Sequence, residues 1–528
     1  MRPAAVVLLF SLAGVPGAAG QTTRVFYLHT AHDTLFAERF QRSPGRVVGE
    51  LVSQTNNQRW SYTATVGTDG LVTRLNNEFR LAGDSSGSPP RQSADMAFRS
   101  DSVILEIRTG ANTREQRIGT SAGAIPYVNP SFLLVELALR RARILGGDSL
   151  AVPLFSVSGG QTFPLVIQKL GSDSVLVLLA GVPARLAVDR AGAILGGQIP
   201  SQGMTIAVSD RADPRFFRAV KIDYSAPAGA PYTAVDVRVP TSAGHTLAGT
   251  LTLPAGASRA KPVPAIVTIT GSGAEERDES IGIVRDYRPF RQIADSLGRR
   301  GVAVLRMDDR GYGESGGTYA GATSQDFAED IRAGLQYLRT RPEIDGTRLG
   351  LVGHSEGGMI APLVAVAEPT LKGIVLLAGP AFKGRPIIEY QQRYAIERDS
   401  SLDTQAKRDS ALARAGRGLD SLMAAEPWMH FFLGYDPLET ARKVRVPVLI
   451  LQGATDRQIT ADQAPALERA FKEGGDQSVT LRVFPETNHL FLPDADGSPA
   501  GYPKLAVSHV RPEVVGTLVD WLVKALAK

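Results

Sequence analysis

The chain has 528 residues, 43% of them hydrophobic and 21% charged, a composition that builds globular cores and, by length, two or three domains. It contains no cysteine, which excludes disulfides, thiolate zinc sites, iron–sulfur clusters and a cysteine nucleophile. A formal charge of +5 without a dense Lys/Arg run is too small a surplus to call for a nucleic-acid partner, and the seven histidines leave few candidates for an imidazole base.

At the N-terminus, Met1-Arg2-Pro3 carries one positive charge, Ala4 to Leu12 is apolar, and Ala18-Ala19-Gly20 offers small residues before Gln21. These are the parts of a secretory signal over residues 1–20. Gly14, Pro16 and Gly17 break the apolar run well short of the roughly 20 residues that span a bilayer. The expectation is an exported protein, periplasmic or secreted after cleavage, with no stable membrane insertion.

Residues 21–230 read as a mostly antiparallel β domain. Trp60, Tyr62, Ala64 and Val66 alternate with polar residues, Gly67-Thr68-Asp69-Gly70 turns, and Leu71-Val72-Thr73 resumes. Val103 to Ile107, Val175 to Leu179 and Arg185 to Val188 are further strands, and residues 83–91 read as an exposed loop. One helix is expected over Ser131 to Ile144, with Asn129 as N-cap and Pro130 at the first helical position. The pattern fits a curved half-barrel around that helix and is too short for a seven- or eight-bladed propeller. His29 and His32 are three apart, but no further ligand cluster supports a metal site.

From 231 to 528 strands alternate with helical stretches, the mark of a mostly parallel sheet. A hairpin, Thr233 to Val239 and Leu247 to Leu253, opens it. Strands are expected at Pro264 to Thr270, Val302 to Met307, Leu349 to Gly353, Gly373 to Ala378, Val446 to Gly453 and Val479 to Phe484. Helices are expected at Phe290 to Arg299, Phe327 to Arg339 behind Ser324 as cap, Gly357 to Val366, and Pro512 to Ala527. Residues 381–440 interrupt the alternation with charged, helix-period sequence, a helical insertion expected to cap the active site.

Gly353-His354-Ser355-Glu356-Gly357 is G-x-S-x-G set between a strand and a helix, the turn that exposes a nucleophilic serine. Ser355 needs a base. His489, in the loop after the last strand, is the candidate. His354 lies inside the turn and reads as a structural partner, His430 sits in the insertion, and His509 precedes the last helix. Asp456, after the strand ending at Gly453, is the candidate orienting acid. Asp436 precedes that strand, Asp462 begins a helix, and Glu486 is too close to His489 in sequence. Developing oxyanion charge calls for backbone donors: Glu356 N–H, and Ser272 N–H in Thr270-Gly271-Ser272-Gly273, with Gly273 close behind. Asp309-Arg310-Gly311 reads as fixing the loop beneath the turn, and Arg277 with Asp278 as either lining the mouth or pairing with each other. Gly271-Ser272-Gly273 completes no phosphate-binding motif.

These pieces resemble the α/β-hydrolases and, more narrowly, bacterial carboxylesterases of the EstD type, with S9- or S33-like hydrolase domains as kin. The resemblance rests on Gly271-Ser272-Gly273 with Arg277-Asp278, on Asp308 to Ser315, on Gly353 to Gly358, on Tyr435-Asp436-Pro437 and on Gly453-Ala454-Thr455-Asp456. It implies hydrolysis of short-chain carboxylic esters by Ser355, Asp456 and His489, with a small-molecule ester as partner and neither metal nor cofactor. Thr270-Gly271 stands where many relatives outside that subfamily have His-Gly. The N-terminal region shares none of these motifs and faintly resembles lipid-carrier or lipocalin-like halves. Two other readings remain open: a serine peptidase or aminopeptidase using the same residues on amides, and a lipid- or glycan-binding protein with a passive hydrolase fold. If the first segment is a signal, full-length chain expressed in a bacterial host is recovered with Gln21 as its first residue, which N-terminal sequencing checks.

Overall fold

The computed structural model describes residues 23–527 apart from 31–32, 54–56, 85–87, 110–111, 158–159, 180–181, 220, 320, 400–401 and 476–477. The expected signal segment, residues 1–20, and His32 lie outside the described residues, as does part of the 83–91 loop. The chain divides into two compact units, Met1–Ile222 and Asp223–Lys528. Among the described residues no helix is long and apolar enough to cross a membrane.

The first unit holds one long sheet. Sequential strands pair antiparallel from Arg24–His29 through Asn112–Gly119, and again from Ser149–Ser156 to Met204–Ser209. The last of these pairs with the first, which joins the two runs. The short strand Ile125–Tyr127 is the parallel exception, beside Ser149–Ser156. The helix Phe132–Leu145 packs against this sheet with every residue from Phe132 to Leu139 buried, as a helix enclosed on most sides requires.

Its start differs from the sequence expectation. Ser131, not Asn129, is the N-cap, its hydroxyl accepting the Leu134 N–H at 3.1 Å. Much of the capping comes from far away in the chain. Glu38, on the strand Thr34–Ser43, accepts the N–H groups of Phe132 and Leu133 at 2.8 and 3.0 Å and the hydroxyls of Ser131 and Tyr62. The carboxyl thereby meets the helix's unsatisfied donors and the positive end of its dipole. Burial nevertheless pushes the Glu38 pKa up, against the lowering effect of those hydrogen bonds. One turn on, Glu136 is fully buried and accepts from Arg42 and from the Ile194 N–H, with Arg140 beside it.

In the second unit eight strands form one sheet: β1 (Tyr232–Pro240), β2 (Thr246–Pro254), β3 (Val263–Ile269), β4 (Ala303–Met307), β5 (Ile344–His354), β6 (Gly373–Leu377), β7 (Val448–Gly453) and β8 (Val479–Phe484). Their order is β1-β2-β4-β3-β5-β6-β7-β8, with β1 and β2 antiparallel to their neighbours and the rest parallel. The inner parallel strands are apolar on both faces, as burial between two helix layers demands. Helices α1 (Pro289–Arg299), α2 (Ser324–Thr340), α3 (Glu356–Ala367), α4 (Gly384–Arg398), α5 (Gln405–Ala425), α6 (Pro427–Gly434), α7 (Pro437–Ala441), α8 (Gln463–Glu473) and α9 (Pro512–Ala525) complete the unit. One core packs α2, α3 and α8 on one face of the sheet, and a second packs α1 and α9 on the other. Helices α4 to α7 lie between β6 and β7, where the sequence interrupts its alternation.

Glu38→Ala leaves two helix N–H groups and two hydroxyls without their acceptor. It should lower the stability of the first unit by about 2–4 kcal/mol, read as a lower urea midpoint for that unit.

Candidate active site

The chain reverses between β5 and α3 through a single residue. Ser355 sits at φ 54°, ψ −117°, a left-handed backbone that a residue with a Cβ adopts only under constraint. Its N–H bonds the Leu377 carbonyl of β6 at 2.8 Å, and its carbonyl accepts from Gly358 at 2.9 Å. The turn is tight enough that a Cβ at Gly353 would strike the Gly357 carbonyl, and one at Gly357 would strike the Ile269 carbonyl. Within the buried run from Leu351 to Ile360, Ser355 is the half-exposed residue.

Asp456 follows β7 and His489 follows β8, at the same carboxyl edge of the sheet. Asp456 Oδ2 and His489 Nδ1 lie 2.8 Å apart, with the two residues 1% and 4% exposed. The other carboxylate oxygen accepts the N–H groups of Gln458 and Ile459 at 2.8 and 2.9 Å, and Gln452 donates to Oδ2 at 3.1 Å. This carboxylate is fully hydrogen-bonded and cannot rotate away from the imidazole without losing donors. Among the described residues no hydrogen bond joins Ser355 Oγ to His489, a contact that commonly tightens only with substrate.

The loop after β3 runs beneath the serine, and a Cβ on Gly271 would stand 3.4 Å from that of Ser355. The Gly271 N–H is already committed to Glu279 Oε1 at 2.9 Å and Glu275 Oε2 at 3.2 Å. Among the described residues the N–H groups of Ser272 and Glu356 have no acceptor. The Glu356 carboxyl is buried, and its Oε1 accepts from Ser324 Oγ at 2.6 Å and from the indole of Trp428 on α6 at 2.8 Å. Burial pushes its pKa up. One carboxyl thus ties the helical insertion to the start of α2. Its side chain went unnoticed in the sequence, although an acid directly after a candidate nucleophile is a visible signal.

The remaining candidates fall elsewhere. His430 is exposed on α6, and His509 is exposed beside Ser508. Asp436 caps α7 through the Leu438 N–H, while Asp462 begins α8 without a side-chain cap bond. His29 faces Thr34 at 2.8 Å. Arg277 and Asp278 neither line a mouth nor pair with each other. Both are fully buried: Arg277 forms two bonds to Asp308, at 2.9 and 2.8 Å, and Asp278 pairs with Arg306. Their partners come from β4 and the loop after it, which local spacing does not reveal. Asp309 accepts from Thr270 Oγ1 at 2.8 Å and from the Glu275 N–H at 2.9 Å, and Arg310 bonds Asp330 at 2.6 Å, so this segment holds the loop after β3 in place.

The strand order, with serine after β5, acid after β7 and histidine after β8, decides the architecture. The second unit has the α/β-hydrolase fold. Two family models match within it: one described as serine aminopeptidase, S33, over residues 282–403, and one described as the dienelactone hydrolase family over residues 411–520. The chain is similar to esterase EstD of Thermotoga maritima, 28% identical over 284 residues, which is 53% of this chain and 66% of that protein, just under two thirds of its length. It is also similar to the AB hydrolase superfamily protein YisY of Bacillus subtilis, 28% identical over 211 residues, 36% of this chain and 76% of the relative. A solved structure of the Pyrococcus furiosus esterase Pf2001 aligns at a TM-score of 0.40 and 17% identity, over 58% of this chain and 96% of its own.

Burial holds the Asp309 pKa up to about 8. In the unfolded chain it titrates near its ordinary value of about 3.9. Between those values the folded chain keeps a proton that the unfolded chain has lost, so this group makes stability fall as pH rises through that window. Asp309→Asn removes the effect. The variant's stability relative to the parent should therefore improve from pH 5 to pH 8, measured by urea unfolding at both.

Proposed function

We propose that the chain is an exported serine hydrolase of carboxylic esters, acting on short-chain acyl esters through Ser355, His489 and Asp456. The observation that carries this reading is the 2.8 Å Asp456–His489 pair at the sheet edge that also presents Ser355 in its left-handed turn. Ser355 Oγ attacks the ester carbonyl while His489 Nε2 takes its proton. Asp456, on Nδ1, holds the tautomer and balances the imidazolium that forms. The N–H groups of Glu356 and Ser272 receive the oxyanion. The alcohol leaves with the proton from His489, and a water repeats the sequence on the acyl-enzyme. The likeness to an esterase and to the dienelactone hydrolase family supports an ester as substrate. The match to a serine aminopeptidase family favours one second reading, the same chemistry on an amino-acyl amide.

A fluorophosphonate should label the wild type and Ser315→Ala but not Ser355→Ala. Ser315 is a buried serine bonded to the Asp308 carbonyl and serves as the control. Asp456→Asn should lower kcat by about 10³- to 10⁴-fold, because the imidazole then rests in the wrong tautomer. Turnover confined to amino-acyl anilides, with none on p-nitrophenyl esters, would replace the esterase reading with the peptidase one. Absence of labelling in the wild type would remove both.

A further inference from the structure

His354 has an arrangement that its position inside the turn does not explain. It is the last residue of β5, buried, and both ring nitrogens face acceptors. Nδ1 lies 2.8 Å from Glu279 Oε1, and Nε2 lies 3.0 Å from the backbone carbonyl oxygen of His489. A carbonyl oxygen carries no proton to share, so Nε2 must donate. With Glu279 ionised, Nδ1 must donate as well, and a histidine that donates from both nitrogens is an imidazolium. The carboxyl groups around it are Glu279, Asp456 behind His489, and Glu275 beside Glu279 on the same loop, whose own pKa burial pushes well up towards the neutral form. Its other neighbours are the His489 ring, tilted against that of His354 with centroids 4.9 Å apart, the Phe491 ring, and Tyr287 across a small cavity. These surroundings are net anionic. Burial works against a cation here, and Glu279 outweighs it: the His354 pKa lies above its ordinary value.

Glu279 has the complementary oddity. It takes a left-handed φ of 58°, and its Oε1 accepts two bonds at once, from His354 and from the Gly271 N–H at 2.9 Å. Three separate pieces of chain therefore meet at this one pair of side chains. The glycine precedes Ser272 in the loop after β3, His354 precedes Ser355 in the turn, and the carbonyl belongs to His489 itself. Each junction lies one residue or less from a group that the proposed reaction uses.

We propose that Glu279 and His354 form a buried ion-pair clamp that sets the distances among oxyanion donor, nucleophile and base, making both positioning residues for the reaction at Ser355. This rests on the ester-hydrolase reading above. A clamp of this kind acts on the chemical step rather than on ground-state binding, since it touches no substrate.

The full chain, labelled with ¹⁵N-histidine, is compared with Glu279→Gln and His354→Gln using p-nitrophenyl acetate, with active serines counted by fluorophosphonate titration. Per titrated site, both variants should lose about 10- to 100-fold in kcat while KM stays within about threefold. At pH 8 the wild type should show one histidine with both ring nitrogens protonated, lost in both variants. Wild-type kcat per active site in folded Glu279→Gln would overturn the proposal. So would a neutral His354 ring at pH 8, which is read on the wild type and so survives any folding failure of the variants. A wild type that neither labels nor turns over would sink the ester-hydrolase reading, and the positioning role with it, while the nitrogen spectrum would still decide the ion pair.

Discussion

Everything at the candidate site hangs on one backbone conformation, the left-handed turn at Ser355. A serine pays for φ 54° with of order 1–3 kcal/mol of strain, and the structure must hold it there. Glycines at 353 and 357 let strand, turn and helix approach backbone to backbone, and β6 supplies a carbonyl for the serine's own N–H. The same close approach brings the loop after β3 under the turn, where a Cβ on Gly271 would stand 3.4 Å from that of Ser355. Loosening any of these contacts would let the serine relax toward ordinary negative-φ backbone.

Polar burial around that turn is unusually dense. Asp278, Glu279, Asp308, Glu356, Asp456 and His489 are all nearly inaccessible, and Arg277 and Arg306 are buried among them. Charges taken out of water are costly unless paired and hydrogen-bonded. Here the pairing runs from the loop after β3 to the loop after β4, so the arginines fix a loop that has no regular structure of its own. The first unit solves a similar problem at a helix end. There Glu38 replaces water at the buried N–H groups of Phe132 and Leu133.

The α/β architecture was legible in the sequence because its elements are local. The apolar runs of β3 to β7 are short and bounded, the helices carry a clear period, and Ser355, Asp456 and His489 each follow a strand in the chain order that this sheet uses. Bonds between distant segments were not legible. Glu38 lies 93 residues before Ser131, so capping rules applied to neighbouring residues pointed to Asn129 instead. Arg277 and Asp278 are adjacent in sequence and invited a mutual pairing, whereas the fold sends each to a partner about 30 residues away. His354 was read as structural from its place in the turn, but its partners, Glu279 and the His489 carbonyl, come from opposite ends of the unit.

The bond between Trp428 and Glu356 carries a lesson for redesign. The insertion between β6 and β7 is joined to the framework of the candidate site by a donor–acceptor pair as well as by apolar packing around Met359, Leu419, Phe432 and Leu433. A shorter or foreign segment spliced at the same points would take away one of the two side-chain donors of this buried carboxyl and leave it Ser324 alone, next to the N–H that it shares a residue with. Transplanting a new specificity onto this scaffold therefore requires carrying over an indole or another donor at that height above the helix, in addition to matching the ends of the graft.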